Sequence, residues 1–359
     1  MDFGQCVAEQ IARHPAMTPQ DLIKLCYQAA FGAEHLLSDP ARAARMLDAE
    51  FDQTPALPQA RLCEMISPDV YRVNLAAWKA RQLPLNWLSR MFTHPSNAPR
   101  GGEALLLRYL EAAGQVVDAG GAPFDGVQWR RCLAQYGAGG MGPVHHTQAY
   151  REAERPAYRV VSGAMARLLP ILKRAARLPQ TGAARVIAID GRAAAGKTTL
   201  AQHLSGVLEA DVIHMDDFFL PPALRTQSRL SQPGGNVHYE RFAQEVLPYL
   251  AKRTPFQYRI FDCSKMDYNG VRQSGSAAWR IVEGSYSAHP FFGRYAGVLA
   301  FLDIEPDQQL SRITARNGEQ MARVFSQRWI PLEEAYFQAC SVRERADVVL
   351  RAQSGPPSL

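Results

Sequence analysis

Arg185-Val-Ile-Ala-Ile-Asp-Gly-Arg-Ala-Ala-Ala-Gly-Lys-Thr-Thr199 is the stretch that decides the fold. Val186 to Ile189 are four apolar residues in a row, the pattern of a strand buried on both faces of a parallel sheet. Gly191-x-x-x-x-Gly196-Lys197-Thr198 follows, a glycine-flanked loop whose backbone N–H groups can wrap phosphate oxygens. Leu200, Leu204 and Val207-Leu208 then recur at helical spacing, so a helix N-terminus adds partial positive charge at the same point. Gly191 and Gly196 allow conformations and close approach that a side chain would block, while Ala193, Ala194 and Ala195 fill the middle of the loop. The pattern assigns Gly191, Arg192, Ala193, Ala194, Ala195, Gly196, Lys197, Thr198 and Thr199 to a phosphate cradle. Lys197 is expected to reach the outer phosphates, and the Thr198 hydroxyl to sit on Mg2+.

Downstream, strand and helix alternate, which implies a parallel sheet with right-handed crossovers. Asp211-Val-Ile-His-Met runs from an apolar strand into Asp216 and Asp217. Acids at the carboxyl end of such a strand reach the ligand-binding edge, where one can accept a hydroxyl proton or hold Mg2+. The alternative for the pair is a helix cap. The Pro/Gly-rich segment 221–236 reads as the grip on a second substrate and leads into a helix from Tyr239 to Leu250. Phe256 to Cys263 reads as an edge strand. Trp279-Arg-Ile-Val-Glu283-Gly284 is a further strand, and Glu283 would lie across from Thr198 and suit Mg2+. After a strand at 297–304, a helix from Asp307 to Asn317 puts Arg312 and Arg316 on one face, either a clamp on phosphates or a solvated basic face. Gly318 suggests a lid. A last helix starts at Trp329-Ile-Pro331, and 346–350 closes the sheet.

In order along the chain, Gly191-Arg-Ala-Ala-Ala-Gly-Lys-Thr198, His214-Met-Asp-Asp-Phe-Phe219, Gly234-Gly-Asn-Val-His-Tyr-Glu-Arg-Phe242, Val282-Glu-Gly-Ser-Tyr286 and Arg312-x-x-x-Arg316 resemble the uridine kinase family of P-loop small-molecule kinases. The resemblance covers nearly all of 183–350. It implies transfer of the γ-phosphoryl group of ATP, with Mg2+, to a hydroxyl of a small molecule. On that resemblance Asp216 is the general base; Lys197, Arg312 and Arg316 hold phosphates; Thr198, Glu283 and Asp216 serve the metal. Asp217, Asn236, His238, Tyr239, Arg241, Tyr258, Cys263 and Tyr286 fall to the acceptor pocket. Two positions depart from the nucleoside kinases: His238 replaces an aspartate that binds the ribose diol, and Cys263 replaces a histidine if Tyr258 is the pocket tyrosine. The resemblance therefore extends to phosphoryl transfer and stops short of a pyrimidine nucleoside.

Residues 1–182 carry no such match. Thr18 caps a helix over 19–32, and further helices are expected at 40–51, 73–80, 85–92, 103–113 and, broken near Pro170, 158–176. The expected architecture is a mainly α-helical domain over 1–178, a linker at 179–183, an α/β P-loop kinase domain over 184–352 and a frayed tail. Two polar clusters stand out: Glu34 with His35, and His145 with His146. They could bind a metal, shuttle protons as a second enzyme site, or be satisfied structural histidines. A nucleotide-driven switch with this half as its partner-binding module is the alternative to the kinase.

At 359 residues, with 47% hydrophobic and 21% charged residues, the chain has room for two globular domains. The net charge of +6 suits an anionic substrate, but no Lys/Arg block stands out and nucleic-acid binding is not inferred. Six scattered cysteines without a C-x-x-C pair argue against a disulfide framework or a cysteine zinc site. Neither a leader nor a membrane span is expected, so the reading is cytoplasmic. The expected partners are a small hydroxyl-bearing molecule and, at most, further copies of the chain.

Overall fold

The computed structural model describes residues 2–32, 39–97 and 101–352. Contacts divide the chain into two units, Met1–Arg167 and Leu168–Leu359. The expected linker at 179–183 thus lies inside the second unit, because Leu169, Ile171, Leu172 and Ala175 of the helix Leu169–Ala175 are buried and pack there. The tail after residue 352 lies outside the described residues.

In the first unit, helices Phe3–Arg13, Pro19–Phe31, Glu103–Asp118 and Gly126–Ala138 share a core that includes Leu22, Leu25, Leu106, Leu110 and Trp129. Thr18 caps the second of these, and Asp21 reaches back to the Thr18 amide to close a capping box. The unit also holds a sheet that the helical reading missed. β1 (Cys63–Ser67), β2 (Val70–Asn74) and β3 (Tyr158–Ser162) form an antiparallel sheet in that order. Tyr158–Ser162 is therefore a strand and not the start of a helix: buried, β-branched Val160 and Val161 pair with Arg72 and Tyr71 of β2. Pro170 kinks nothing; it sits in the first turn of the helix Leu169–Ala175, where its missing N–H costs no bond.

The second unit is built on a parallel sheet. Its strands are β4 (Arg185–Gly191), β5 (Ala210–His214), β8 (Trp279–Glu283), β9 (Val298–Asp303) and β10 (Val348–Arg351), in the order β10-β9-β4-β8-β5, flanked by helices. Apolar runs put Ile187, Ala188, Ile189, Ile281 and Val282 fully inside. Register places Glu283 beside both Ile189 and His214, so the carboxyl ends of β4, β8 and β5 meet at one edge. β6 (Phe256–Asp262) and β7 (Asp267–Ser274) form a separate two-stranded hairpin. Phe256–Cys263 is thus not an edge strand of the main sheet; its partner is the following segment. The helix expected over 239–250 is two pieces, Tyr239–Glu245 and Leu247–Leu250, with Pro248 in the first turn of the second. The segment expected to be a lid is one element, Pro306–Val324, broken at Gly318, whose φ of 79° is left-handed. It continues through a π turn, Phe325–Trp329, into the helix Ile330–Ala339. Among the described residues no helix is long and apolar enough to cross a membrane.

Candidate active site

The P-loop follows β4 and opens the helix Lys197–Leu208. Gly191 has φ 137°, and a Cβ there would collide with the backbone of Leu302 on β9, so only glycine fits. Ala194 is left-handed at φ 58° despite its Cβ, and Gly196 follows at φ 92°. These turns curl the loop around the helix N-terminus, where the N–H groups of Lys197, Thr198 and Thr199 have no carbonyl four residues back inside the helix. Lys197 Nζ folds over the loop, donating to Gly191 O at 2.7 Å, Arg192 O at 3.0 Å and Ser285 Oγ at 3.1 Å. Arg192 points away from the cradle: it forms ion pairs with Asp303 and, at 2.6 Å, with Glu334. The N–H of buried Ala193 is spent on buried Glu333, donating to Oε2 at 3.0 Å.

Thr198 Oγ1 lies 3.2 and 3.3 Å from the two Glu283 carboxylate oxygens. His214 Nδ1 lies 2.6 Å from Glu283 Oε1 and orients that buried acid. Asp216 follows in the 3-10 turn Met215–Phe218. Its carboxylate keeps an exposed side and makes no hydrogen bond to a described residue. Close packing of protein around it, then the Glu283 charge, push its carboxyl above the ordinary range, with Lys197 opposing. A free carboxylate with a raised pKa is suited to accept a proton.

The two arginines of the helix Pro306–Val324 separate. Arg312 donates to Ala194 O of the loop at 3.2 Å, whereas Arg316 is exposed and bonds Asn317 at 2.8 Å. The acceptor residues divide as well. Asp217 is buried in an ion pair with Arg272 of β7 at 2.8 Å, so it braces the hairpin rather than capping a helix. Arg241 is 2% exposed, donates to the Asp217 and Arg259 carbonyls and stacks on Phe218 at 4.2 Å. That side chain is a structural clamp and does not face a pocket. Tyr258 OH receives the His214 N–H at 3.4 Å. Tyr239 stacks between Arg229 and the rings of His289 and Phe291. Asn236 is buried; its main-chain carbonyl accepts the Leu220 N–H, and its side chain bonds the buried hydroxyl of Tyr286. His238 is half-buried, and its buried Nδ1 has no hydrogen-bond partner. Cys263 is exposed just past the end of β6.

Three residues that the sequence reading passed over organise this edge. Asp190, fully buried, accepts from the N–H groups of Gly191 at 2.7 Å, Tyr286 at 3.1 Å and Ala288 at 2.9 Å, and from Tyr336 OH at 2.8 Å. It ties the loop, the turn after β8 and the last long helix together, and holds Tyr286 at a left-handed φ of 75°. Glu333 accepts from Ser285 Oγ at 2.7 Å as well as from Ala193, and burial raises its carboxyl pKa. An acid at the carboxyl end of a central strand was the signal for Asp190, the same one that marked Glu283. Nothing local marks Ser285 or Glu333.

In the first unit, Glu34 and His35 lie outside the described residues. His145 contributes its carbonyl to Gln20 at 2.8 Å. His146 is buried, with Nδ1 2.7 Å from Asp21 Oδ1 and Nε2 2.7 Å from Tyr158 OH. Among the described residues no group of three or more His, Cys, Asp or Glu could hold a metal. Burial works against the Asp21 charge, but His146, Thr18 and Thr147 outweigh it and hold the carboxyl at about 2 instead of 3.8. The folded pKa is depressed, so its stabilisation is fully present above pH 3.8 and disappears as pH falls towards 2. Asp21→Asn is therefore expected to cost on the order of 2 kcal/mol at neutral pH. Urea unfolding should show that gap, and the gap should close below about pH 2.

No protein-family model and no curated protein matches the chain. Solved structures do match it. One, described as a possible uridine kinase from Bacillus stearothermophilus, aligns over 52% of this chain and 97% of its own, with 20% identity and a TM-score of 0.41. Another, described provisionally as a fructose transport system kinase from Silicibacter sp. TM1040, aligns over 52% of this chain and 97% of its own, with 22% identity and a TM-score of 0.42.

Proposed function

We propose that the second unit transfers the γ-phosphoryl group of ATP to a hydroxyl of a small metabolite. The observation that carries the reading is the meeting, at one sheet edge, of a P-loop lysine, the Thr198–Glu283 pair 3.2 Å apart and the unbonded carboxylate of Asp216. Phosphoryl transfer needs little covalent chemistry from a protein and is served by positioning and charge neutralisation. Lys197 and the N–H groups at the helix start neutralise the phosphates, and Arg312, already on the loop, adds charge from the lid. Asp216 accepts the proton of the acceptor hydroxyl. A hydroxyl and carboxylates are hard oxygen donors that suit Mg2+ bound through one or two protein groups plus phosphates, so Thr198 and Glu283 would hold it. When bound, Mg2+ supplies neutralisation of charge on the phosphate oxygens.

On this reading the acceptor is gripped by the segment that reaches Asn236 and His238, beside the β6–β7 hairpin. The test is ADP formation with Mg2+ against a panel of nucleosides, sugars and vitamin-like alcohols, beside a no-acceptor control. ADP that depends on one acceptor class is expected. Equal ADP without any acceptor overturns the reading in favour of an ATPase switch.

A further inference from the structure

The helix Pro19–Phe31 of the first unit carries Asp21, Lys24 and Gln28 at spacings of three and four, so they share one face. That face is polar inside an otherwise apolar core. Gln28 Oε1 accepts from Arg72 Nε at 3.1 Å, Arg72 Nη2 at 2.7 Å and Tyr158 OH at 3.3 Å. The Arg72 guanidinium lies 4.5 Å from the centre of the Tyr158 ring, and the residue is 3% exposed. Lys24 Nζ donates to Val144 O at 3.2 Å, and its other two donors have no acceptor among the described residues.

Neither cation has a carboxylate within ion-pair distance among the described residues. The acids nearby are engaged elsewhere. Asp21 accepts from His146, from both the N–H and the hydroxyl of Thr147, and from the Thr18 hydroxyl. Glu64, opposite Arg72 in the β1–β2 register, bonds His14 at 3.3 Å, and His14 also meets Glu154 at 3.0 Å. A charge withdrawn from water is costly unless an opposite charge or a full set of acceptors meets it. Arg72 has one amide oxygen and an aromatic face; Lys24 has one carbonyl. Lys24 is the partly exposed member, open to an ion arriving from solvent.

We propose that this face is a binding site for a small oxyanion, a phosphate or carboxylate group, gripped between the Lys24 ammonium and the Arg72 guanidinium. Both are the charge-assisted donors that such oxygens take; Arg72 has spent Nε and one Nη2 hydrogen on Gln28, so Nη1 is the donor it offers. Burial, then the Arg72 charge, outweigh the opposing Asp21 charge and depress the Lys24 ammonium to about 8, which a bound anion would offset. The site stands apart from the phosphoryl-transfer reading, since every group in it belongs to the first unit.

The test is thermal unfolding of the full chain titrated with inorganic phosphate and, separately, with acetate, against chloride at equal ionic strength. It is run in a Lys197→Ala background so that the P-loop does not answer for phosphate. A saturable rise in Tm with either ion is expected; phosphate alone assigns a phosphoryl group, acetate alone a carboxylate. Adding Lys24→Met should weaken the apparent Kd by roughly tenfold or more while leaving the anion-free Tm level or higher. If that variant does not fold, Lys24→Arg, which keeps the charge but changes its reach, should still saturate with a shifted Kd. No rise beyond chloride, or an unchanged Kd in the Lys24 variant, overturns the proposal.

Discussion

Lys197→Ala is expected to lower kcat/KM for ATP by at least on the order of 10²–10³-fold, the cost of removing one preorganised charge at developing negative charge. Lys197 Nζ contacts the loop carbonyls of Gly191 and Arg192 and the Ser285 hydroxyl, each within 3.1 Å. Its ammonium therefore sits over the cradle before any phosphate arrives, and phosphate oxygens would exchange for those carbonyls. Because the same group serves ground and transition states, both ATP affinity and kcat should fall. Steady-state kinetics with calorimetric ATP titration separates the two. Unaltered kinetics would remove the P-loop from the account.

The second large effect is at Asp216. Asp216→Asn keeps the shape and removes the proton acceptor, so kcat should fall by about 10²–10⁴-fold with ATP binding nearly intact. The pH profile gives the sign. The base works ionised, and packing and Glu283 raise its carboxyl above the ordinary 3.8. Activity should therefore fall as pH drops through that raised value, and the acid limb should vanish in the Asn variant. Glu283→Gln should move the limb to lower pH, since it removes the nearby like charge that disfavours ionised Asp216. Loss of ATP binding together with kcat in Asp216→Asn would count against the base assignment.

What could be read from the sequence follows from how local each signal is. The P-loop strand, Glu283 and the acids after His214 announce themselves because a buried parallel strand is a run of apolar residues and its ligand edge is where polarity resumes. The strand Tyr158–Ser162 does not, since its partner β2 lies more than eighty residues away and the chain turns directly into a short helix. β7 is similar: Asp267–Ser274 is polar and mostly exposed, with no apolar run to betray it. The resemblance assigns Arg241 and Asp217 to the acceptor pocket because they stand in its matching segments, and nothing local marks them as buried. Their burial rests on Phe218, the Arg259 carbonyl and Arg272, contacts that only the fold supplies. Glu333 lies 140 residues from the loop amide it accepts from. His146 fits the expectation of a satisfied histidine. Lys24 carries no signal in a helix that reads as ordinary, and Arg72 lies on a strand that the helical reading missed.

The central claim is that Asp216 and the P-loop together pass a phosphoryl group to a hydroxyl. It is tested most directly by following ATP labelled in the γ-phosphate, with Mg2+ and the acceptor panel, and separating the products. Label in an organic phosphate, lost in Asp216→Asn, is the predicted result. Label only in inorganic phosphate, at the same rate with and without acceptors, would contradict it.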